Sequence, residues 1–148
     1  LGSAQQPFLE RLLTRLTRAG LDKAFHYHGV LNHSEKRGFL SHLDLFCVPA
    51  VDLEPKGLYV LEALASGVPV VEPDQGAFPE LLERSGGGVL FKPGDPLLLA
   101  ETLAGLLRDP LLRQRLGREG HRRVHRDLTA MRMAERTLTV YSQFLKQD

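Results

Sequence analysis

L-E-P-K-G-L-Y-V-L-E-A-L-A-S-G-V-P-V-V, residues 53–71, decides how this chain folds. From Gly57 onward Leu58, Leu61, Leu64 and Ala65 recur at helical spacing, and Ser66-Gly67 closes that helix as a left-handed cap would. Val68-Pro69-Val70-Val71 then reads as a short buried strand. Upstream, Leu43, Leu45, Phe46 and Val48 form another apolar run that stops at Pro49. The unit is strand–loop–helix–strand. It puts the long loop and the helix N-terminus at the carboxyl end of a strand, the ligand crevice of an open α/β sheet.

Gly57 and the N–H groups after it present unpaired donors and the positive end of a helix dipole, which suits a phosphate. Glu54 stands on the loop just before the helix. Glu62 lies one and a half turns inside it, where it can accept hydrogen bonds from sugar or ribose hydroxyls. Phosphate at one end and hydroxyls at the other is the footprint of a nucleotide-sugar. By spacing alone, two glutamates so placed are more often simply solvated, and the residues by themselves leave both readings open.

The rest of the chain repeats the alternation of strands and helices. Pro7 opens a helix with Phe8, Leu9, Leu12, Leu13 and Leu16 on one stripe, ending at Gly20. Phe25-His26-Tyr27-His28-Gly29-Val30 reads as a short strand running into a turn. Asn32 with Glu35 three residues later has the form of a helix cap and its reciprocal partner, with Phe39, Leu40 and Leu43 on the apolar side behind it. Gln75-Gly76-Ala77 is a turn, Pro79 starts a short helix with Phe78, Leu81 and Leu82, and Val89-Leu90-Phe91 is a strand. Asp95-Pro96 and Asp109-Pro110 each signal a helix start. The first of these helices turns Leu99, Leu103, Leu106 and Leu107 to the sheet, and the second carries Leu112, Leu116 and Val124. A last helix keeps Ala134, Leu138, Tyr141 and Leu145 on a stripe. Such alternation predicts an α/β fold with a parallel sheet flanked by helices.

Composition narrows the function classes. The 148 residues, 43% hydrophobic and 25% charged, suffice for one domain with a real core. A formal net charge of +1 gives no overall drive toward nucleic acid or membrane. The single cysteine, Cys47, excludes a disulfide framework and makes a reducing, cytoplasmic setting the default. No apolar run approaches the ~18–20 residues that cross a bilayer, and Leu1-Gly2-Ser3 does not resemble a signal peptide.

His26 and His28 alternate on one strand face, and His121 and His125 lie one helical turn apart, but no third ligand completes a metal site for either pair. Neither a dinucleotide nor a Walker glycine pattern is present, and a nucleophile elbow is missing. Arg113, Arg115, Arg118, Arg122, Arg123 and Arg126 make one helix basic. The plain reading is a solvated face; the sharper one is peripheral contact with anionic lipid or with a further domain. Aromatic residues that would stack nucleobases do not interleave them.

The string from Glu54 through Val71 resembles the donor-site signature of retaining glycosyltransferases of the GT-B fold, group 1. That signature is a Glu, seven residues, a second Glu, then A-x-A-x-G-x-P-V-V. The likeness extends upstream through F-H-Y-H-G-V-L and L-D-L-F-C-V-P, and downstream through P-E-L-L and G-G-G-V-L-F-K-P-G-D. It implies a Rossmann-like donor-binding domain and transfer of a sugar from a nucleotide-diphosphate donor to an unknown acceptor. Glu54 would stand beside the transferred sugar as the catalytic carboxylate. Pro55, Lys56, Gly57, Leu58 and Tyr59 would line the sugar and diphosphate, and Glu62 would bind the ribose. His28, Gly29, Val30 and Leu31 would form the loop on which the base packs. The resemblance implies no metal, and no cofactor beyond the nucleotide-sugar substrate. Helix N–H groups and cations would stabilise the departing diphosphate.

Two departures stand out. Lys56 occupies a position where an aromatic residue is common, and Gln75-Gly76-Ala77 replaces a more usual Gly pair. The resemblance also places upstream of Leu1 the domain's first strands, a loop whose Arg and Lys clamp the diphosphate, and an acceptor-binding N-terminal domain. Two other readings are a non-catalytic nucleotide or sugar-phosphate binding module and a structural, flavodoxin-like domain. In a sheet of order 3-2-1-4-5-6 the strands around Tyr27, Phe46, Val70 and Leu90 would be third to sixth. The gap between third and fourth would be filled by upstream residues or by a second copy, or closed by the Tyr27 strand moving beside Phe46. The last arrangement is the expectation here.

Overall fold

The computed structural model describes residues 6–145, and Leu1-Gly2-Ser3 lies outside the described residues. The chain divides into two compact units, Leu1–Lys36 and Arg37–Asp148.

In the first unit, α1 spans Gln6–Arg18. Its half-buried stripe is Leu9, Leu12 and Leu16, while Phe8 and Leu13, which flank the stripe, are exposed. A single 3-10 turn, Asp22–Ala24, leads into the extended Phe25, and Gly29 reverses the chain with φ +69°. The capping box forms as its residues predict. The Asn32 N–H donates to Glu35 Oε2 at 2.8 Å, and the Glu35 N–H donates to Asn32 Oδ1 at 3.0 Å. It starts α2, His33–Ser41, which runs across the division between the units.

The second unit holds a parallel sheet of order β1-β2-β3, with β1 at Phe46–Cys47, β2 at Val70–Pro73 and β3 at Gly88–Phe91. Phe46 registers with Val70 and Val70 with Gly88. Val70 and Val71, both fully buried, point to opposite faces. Val70 packs with Val60, Leu64 and Phe78, and Val71 with Phe91 and Leu106. A sheet covered on both sides explains the unbroken apolar run. The strand nevertheless begins at Val70, two residues later than its composition suggests. Val68 spends its N–H on Ala63 O at 3.1 Å and Gly67 its own on Leu64 O at 2.9 Å, closing the preceding helix in a Schellman cap. Pro69 has no N–H to give.

The Tyr27 strand is corrected: among the described residues the sheet has three strands, and residues 25–28 belong to none of them. Extended backbone becomes a strand only by pairing. β1, two residues long and followed by Pro49, offers a parallel neighbour almost no ladder.

Five further helices complete this unit: α3 Leu58–Ala65, α4 Phe78–Ser85, α5 Pro96–Arg108, α6 Pro110–Asp127 and α7 Ala130–Phe144. Asp95 Oδ1 accepts from the Leu98 N–H at 3.0 Å, and Asp109 Oδ1 from the Leu112 N–H at 2.9 Å. Each such cap is worth about 1 kcal/mol. Leu99, Leu103 and Leu106 turn inward from α5, but Leu107 is 53% exposed, because neighbouring helical residues point about 100° apart. Gly117 lets α6 pass against the end of α3, since a Cβ there would stand 2.2 Å from the Gly67 carbonyl oxygen. On α7 the expected stripe forms but is exposed throughout. Among the described residues no helix is long and apolar enough to cross a membrane.

Candidate functional site

Residues 48–57 connect β1 to α3 without regular structure and deliver Glu54 to the start of the helix. Gly57, the N-cap, adopts φ +59° and has no side chain with which to cap. Glu54 does this instead. Its Oε1 accepts the Gly57 N–H at 2.9 Å and the Lys56 N–H at 3.0 Å, and its Oε2 accepts the Tyr59 hydroxyl at 3.3 Å. The Gly57 N–H foremost, then the Lys56 N–H, hold the carboxyl below the usual glutamate range, so Glu54 is an anion at neutral pH. Burial, then the charge of Glu54, pushes Tyr59 up to about 12. The Tyr59 ring is set between Phe46 and Phe78, with centroids 6.2 and 6.3 Å away.

The donors at this helix start are therefore partly used. Glu54 itself occupies the N–H groups of Lys56 and Gly57. A helix cannot bond its own first N–H groups, so those of Leu58 and Tyr59 have no partner within α3. Pro55, Lys56 and Leu58 are exposed, Tyr59 is half-buried, and Glu62 sits half-buried on α3. Glu54 to Glu62 all lie in the second unit, on the loop before α3 and on α3 itself. His28, Gly29, Val30 and Leu31 belong to the first unit, the first three exposed and Leu31 half-buried.

From behind, the turn after β2 grips the backbone of Glu54. The Ala77 N–H donates to the Glu54 carbonyl at 2.8 Å. Gly76 takes φ +57°, and a Cβ on it would fall 2.5 Å from Glu54 O and 2.8 Å from Glu54 N. Beneath lies a residue that sequence reasoning passed over. Glu72, on β2, is completely buried; its Oε1 accepts the Val48 N–H at 3.4 Å, while its Oε2 has no partner among the described residues. Burial pushes its carboxyl up to about 8, so it carries its proton at neutral pH. Burial, then Glu72, pushes the half-buried Cys47 thiol up to about 12, leaving it inert. In V-V-E-P the glutamate reads as the end of a strand, and nothing local marks it as buried.

The other candidates have structural explanations. His121 Nδ1 and His125 Nε2 lie 2.8 and 3.2 Å from the Ala65 carbonyl oxygen, at the C-terminal end of α3. Among the described residues no group of three or more His, Cys, Asp or Glu is placed to hold a metal ion. On α6, Arg122 and Arg123 share Glu119, Arg126 pairs with Asp127, and Arg113 donates to the Leu106 and Leu107 carbonyls. Arg122 and Arg126 are exposed on the helix, whereas Arg113 is half-buried. An open apolar hollow of about 500 Å³ is lined by Ala50, Val51, Phe91 and Leu99 among others, and by none of the residues from Glu54 to Glu62.

Residues 1–123 match the family described as Glycosyl transferases group 1. The chain belongs to this family. The proteins it is similar to include a phosphatidyl-myo-inositol mannosyltransferase of Mycobacterium leprae. It is 33% identical over 112 residues, covering 76% of this chain and 30% of that protein. A GDP-mannose-dependent mannosyltransferase of Corynebacterium glutamicum acting on a monoacylated phosphatidylinositol monomannoside is 32% identical over 118 residues, 76% of this chain and 31% of its own. The crystal structure of the C-terminal domain of the group 1 protein LpcC from Francisella tularensis superposes with a TM-score of 0.77 at 27% identity, covering 86% of this chain and 66% of that one. This chain spans about 30% of the length of the curated relatives it matches. Its fold is that of the C-terminal part of a GT-B glycosyltransferase, as the resemblance implied.

Proposed function

We propose that this chain is the donor-binding part of a retaining glycosyltransferase that moves a sugar from a nucleotide-diphosphate donor to an acceptor hydroxyl. The observation that carries this reading is the ionised Glu54 held at the N-terminus of α3 by two backbone N–H groups. The dependence of a mannosyltransferase relative on GDP-mannose supports the class of donor.

The residues divide the work. The diphosphate lies on the Leu58 and Tyr59 N–H groups, in the positive field of the helix end. Oε2 of Glu54, which accepts the Tyr59 hydroxyl at 3.3 Å, turns to the hydroxyls of the transferred sugar. Glu62 accepts from the ribose. The sugar–phosphate bond then breaks with its electron pair going to the diphosphate; the helix dipole stabilises the negative charge there, and the fixed carboxylate the positive charge that develops on the sugar. The acceptor hydroxyl oxygen closes onto the anomeric carbon with its configuration retained, and its proton passes to the departing diphosphate oxygen. A preceding acceptor-binding domain of the same protein and a cytoplasmic setting complete this reading.

The test is to offer the full-length protein a panel of nucleotide-diphosphate sugars. Release of nucleoside diphosphate with a product of retained anomeric configuration is expected. Saturable binding without turnover would favour a non-catalytic binding module, and no binding at all would leave only a structural domain.

A further inference from the structure

The loop that delivers Glu54 is held by few contacts of its own. Its side chains do not bury it: Val51 is 92% and Leu53 73% exposed. Within it the Ala50 N–H donates to Val48 O at 2.7 Å. Besides the bonds of the Glu54 carboxylate to Lys56, Gly57 and Tyr59, ties come from the far end of β2 and the turn beyond it. Glu72 reaches Val48, and Ala77 reaches Glu54. Between these two, the half-buried Gln75 places its amide nitrogen 2.9 Å from Ala50 O, 3.3 Å from Asp52 O and 3.4 Å from Val51 O.

Three consecutive carbonyl oxygens turned toward one point repel each other unless a donor stands there. The amide of Gln75 supplies that donor, its two protons shared among three acceptors. Gln75 is itself fixed, because its N–H donates to Pro73 O at 2.8 Å and its carbonyl accepts the Phe78 N–H at 3.3 Å. The turn is thus a rigid template on which the loop is laid two residues before the carboxylate.

We propose that Gln75 is a positioning residue of the sugar-transfer site: by gathering the Ala50, Val51 and Asp52 carbonyls it sets where Glu54 stands against the bound donor. This rests on the function proposed above. Gln75 touches no substrate and acts through the loop. Its loss shifts the carboxylate rather than removing a donor contact, so the reaction step suffers while donor binding does not. A displacement near 1 Å at a reacting group costs up to about 100-fold in rate.

Two isosteres separate the possibilities in the full-length protein. Gln75→Met keeps length and removes both N–H donors; Gln75→Glu keeps shape and sets a carboxylate against the three carbonyls. We expect kcat to fall about tenfold for Met and about 100-fold for Glu, with the donor KM within about threefold of wild type in both. Amide hydrogen exchange at residues 50–54 should quicken about tenfold in Gln75→Met, and near-UV circular dichroism should stay native. Wild-type kcat in both variants would overturn the proposal. So would a loss confined to KM, a loss that tracks unfolded protein, or unchanged exchange in the loop. A wild-type protein that turns over no nucleotide-sugar defeats the proposed function instead, and the exchange measurement still decides whether Gln75 holds the loop.

Discussion

The Ala77 N–H donates to the Glu54 carbonyl at 2.8 Å, so the turn that follows β2 holds the backbone of the glutamate that the loop after β1 delivers. The same glutamate is gripped in front through its carboxylate by the N–H groups of Lys56 and Gly57. Glu54 is therefore fixed at both ends, and small changes in the turn should be felt at the site.

Gly76→Ala is the most direct such change. The new methyl would meet Glu54 O at 2.5 Å and force a residue with a side chain into φ +57°. Backbone strain of this kind costs about 1–3 kcal/mol. Urea unfolding of the variant should show that loss, and kcat in the full-length protein should fall further than stability alone explains.

Glu72 gives a pH dependence with a definite sign. Its folded carboxyl titrates near 8 against an ordinary 4.5, because burial disfavours its charge. Between these values the unfolded chain has released a proton that the folded chain keeps. Stability therefore falls as pH rises from 4.5 to 8, by up to about 1.4 kcal/mol per pH unit, and levels off above. Glu72→Gln keeps the shape, stays neutral, and should flatten this slope in unfolding experiments run from pH 5 to 8. A variant with an unchanged slope would place the titrating group elsewhere.

Asp109→Ala removes the acceptor of the Leu112 N–H at the start of α6. A loss of about 1 kcal/mol is expected in denaturant unfolding, with no change in donor affinity.

Local chemistry was legible in the sequence and distant partnership was not. The caps at Asn32, Asp95 and Asp109 depend on residues three positions away and form where their spacing puts them. The Schellman close at Gly67 is equally local, yet by consuming the Val68 N–H it moves the start of β2, an effect that strand composition does not carry. Residues 25–28 have a strand's alternation, but strand formation depends on an edge far along the chain, and β1 is too short to provide one. His121 and His125 show their helical spacing plainly, while their shared partner, Ala65 O, lies on another helix. At the site, the pair Glu54 and Glu62 stood out by resemblance. Glu72 and Gln75 did not, because their partners lie more than twenty residues upstream.

The central claim is that Glu54 serves the reacting sugar and Glu62 the bound nucleotide, and one kinetic comparison in the full-length protein tests it most directly. Glu54→Gln should lower kcat far more than it raises the donor KM, since the contact it removes strengthens in the transition state. Glu62→Ala should mainly weaken donor binding, by about 1.5–3 kcal/mol, with kcat largely kept. Equal effects of the two substitutions on kcat and KM, or no effect of either, would contradict the assignment.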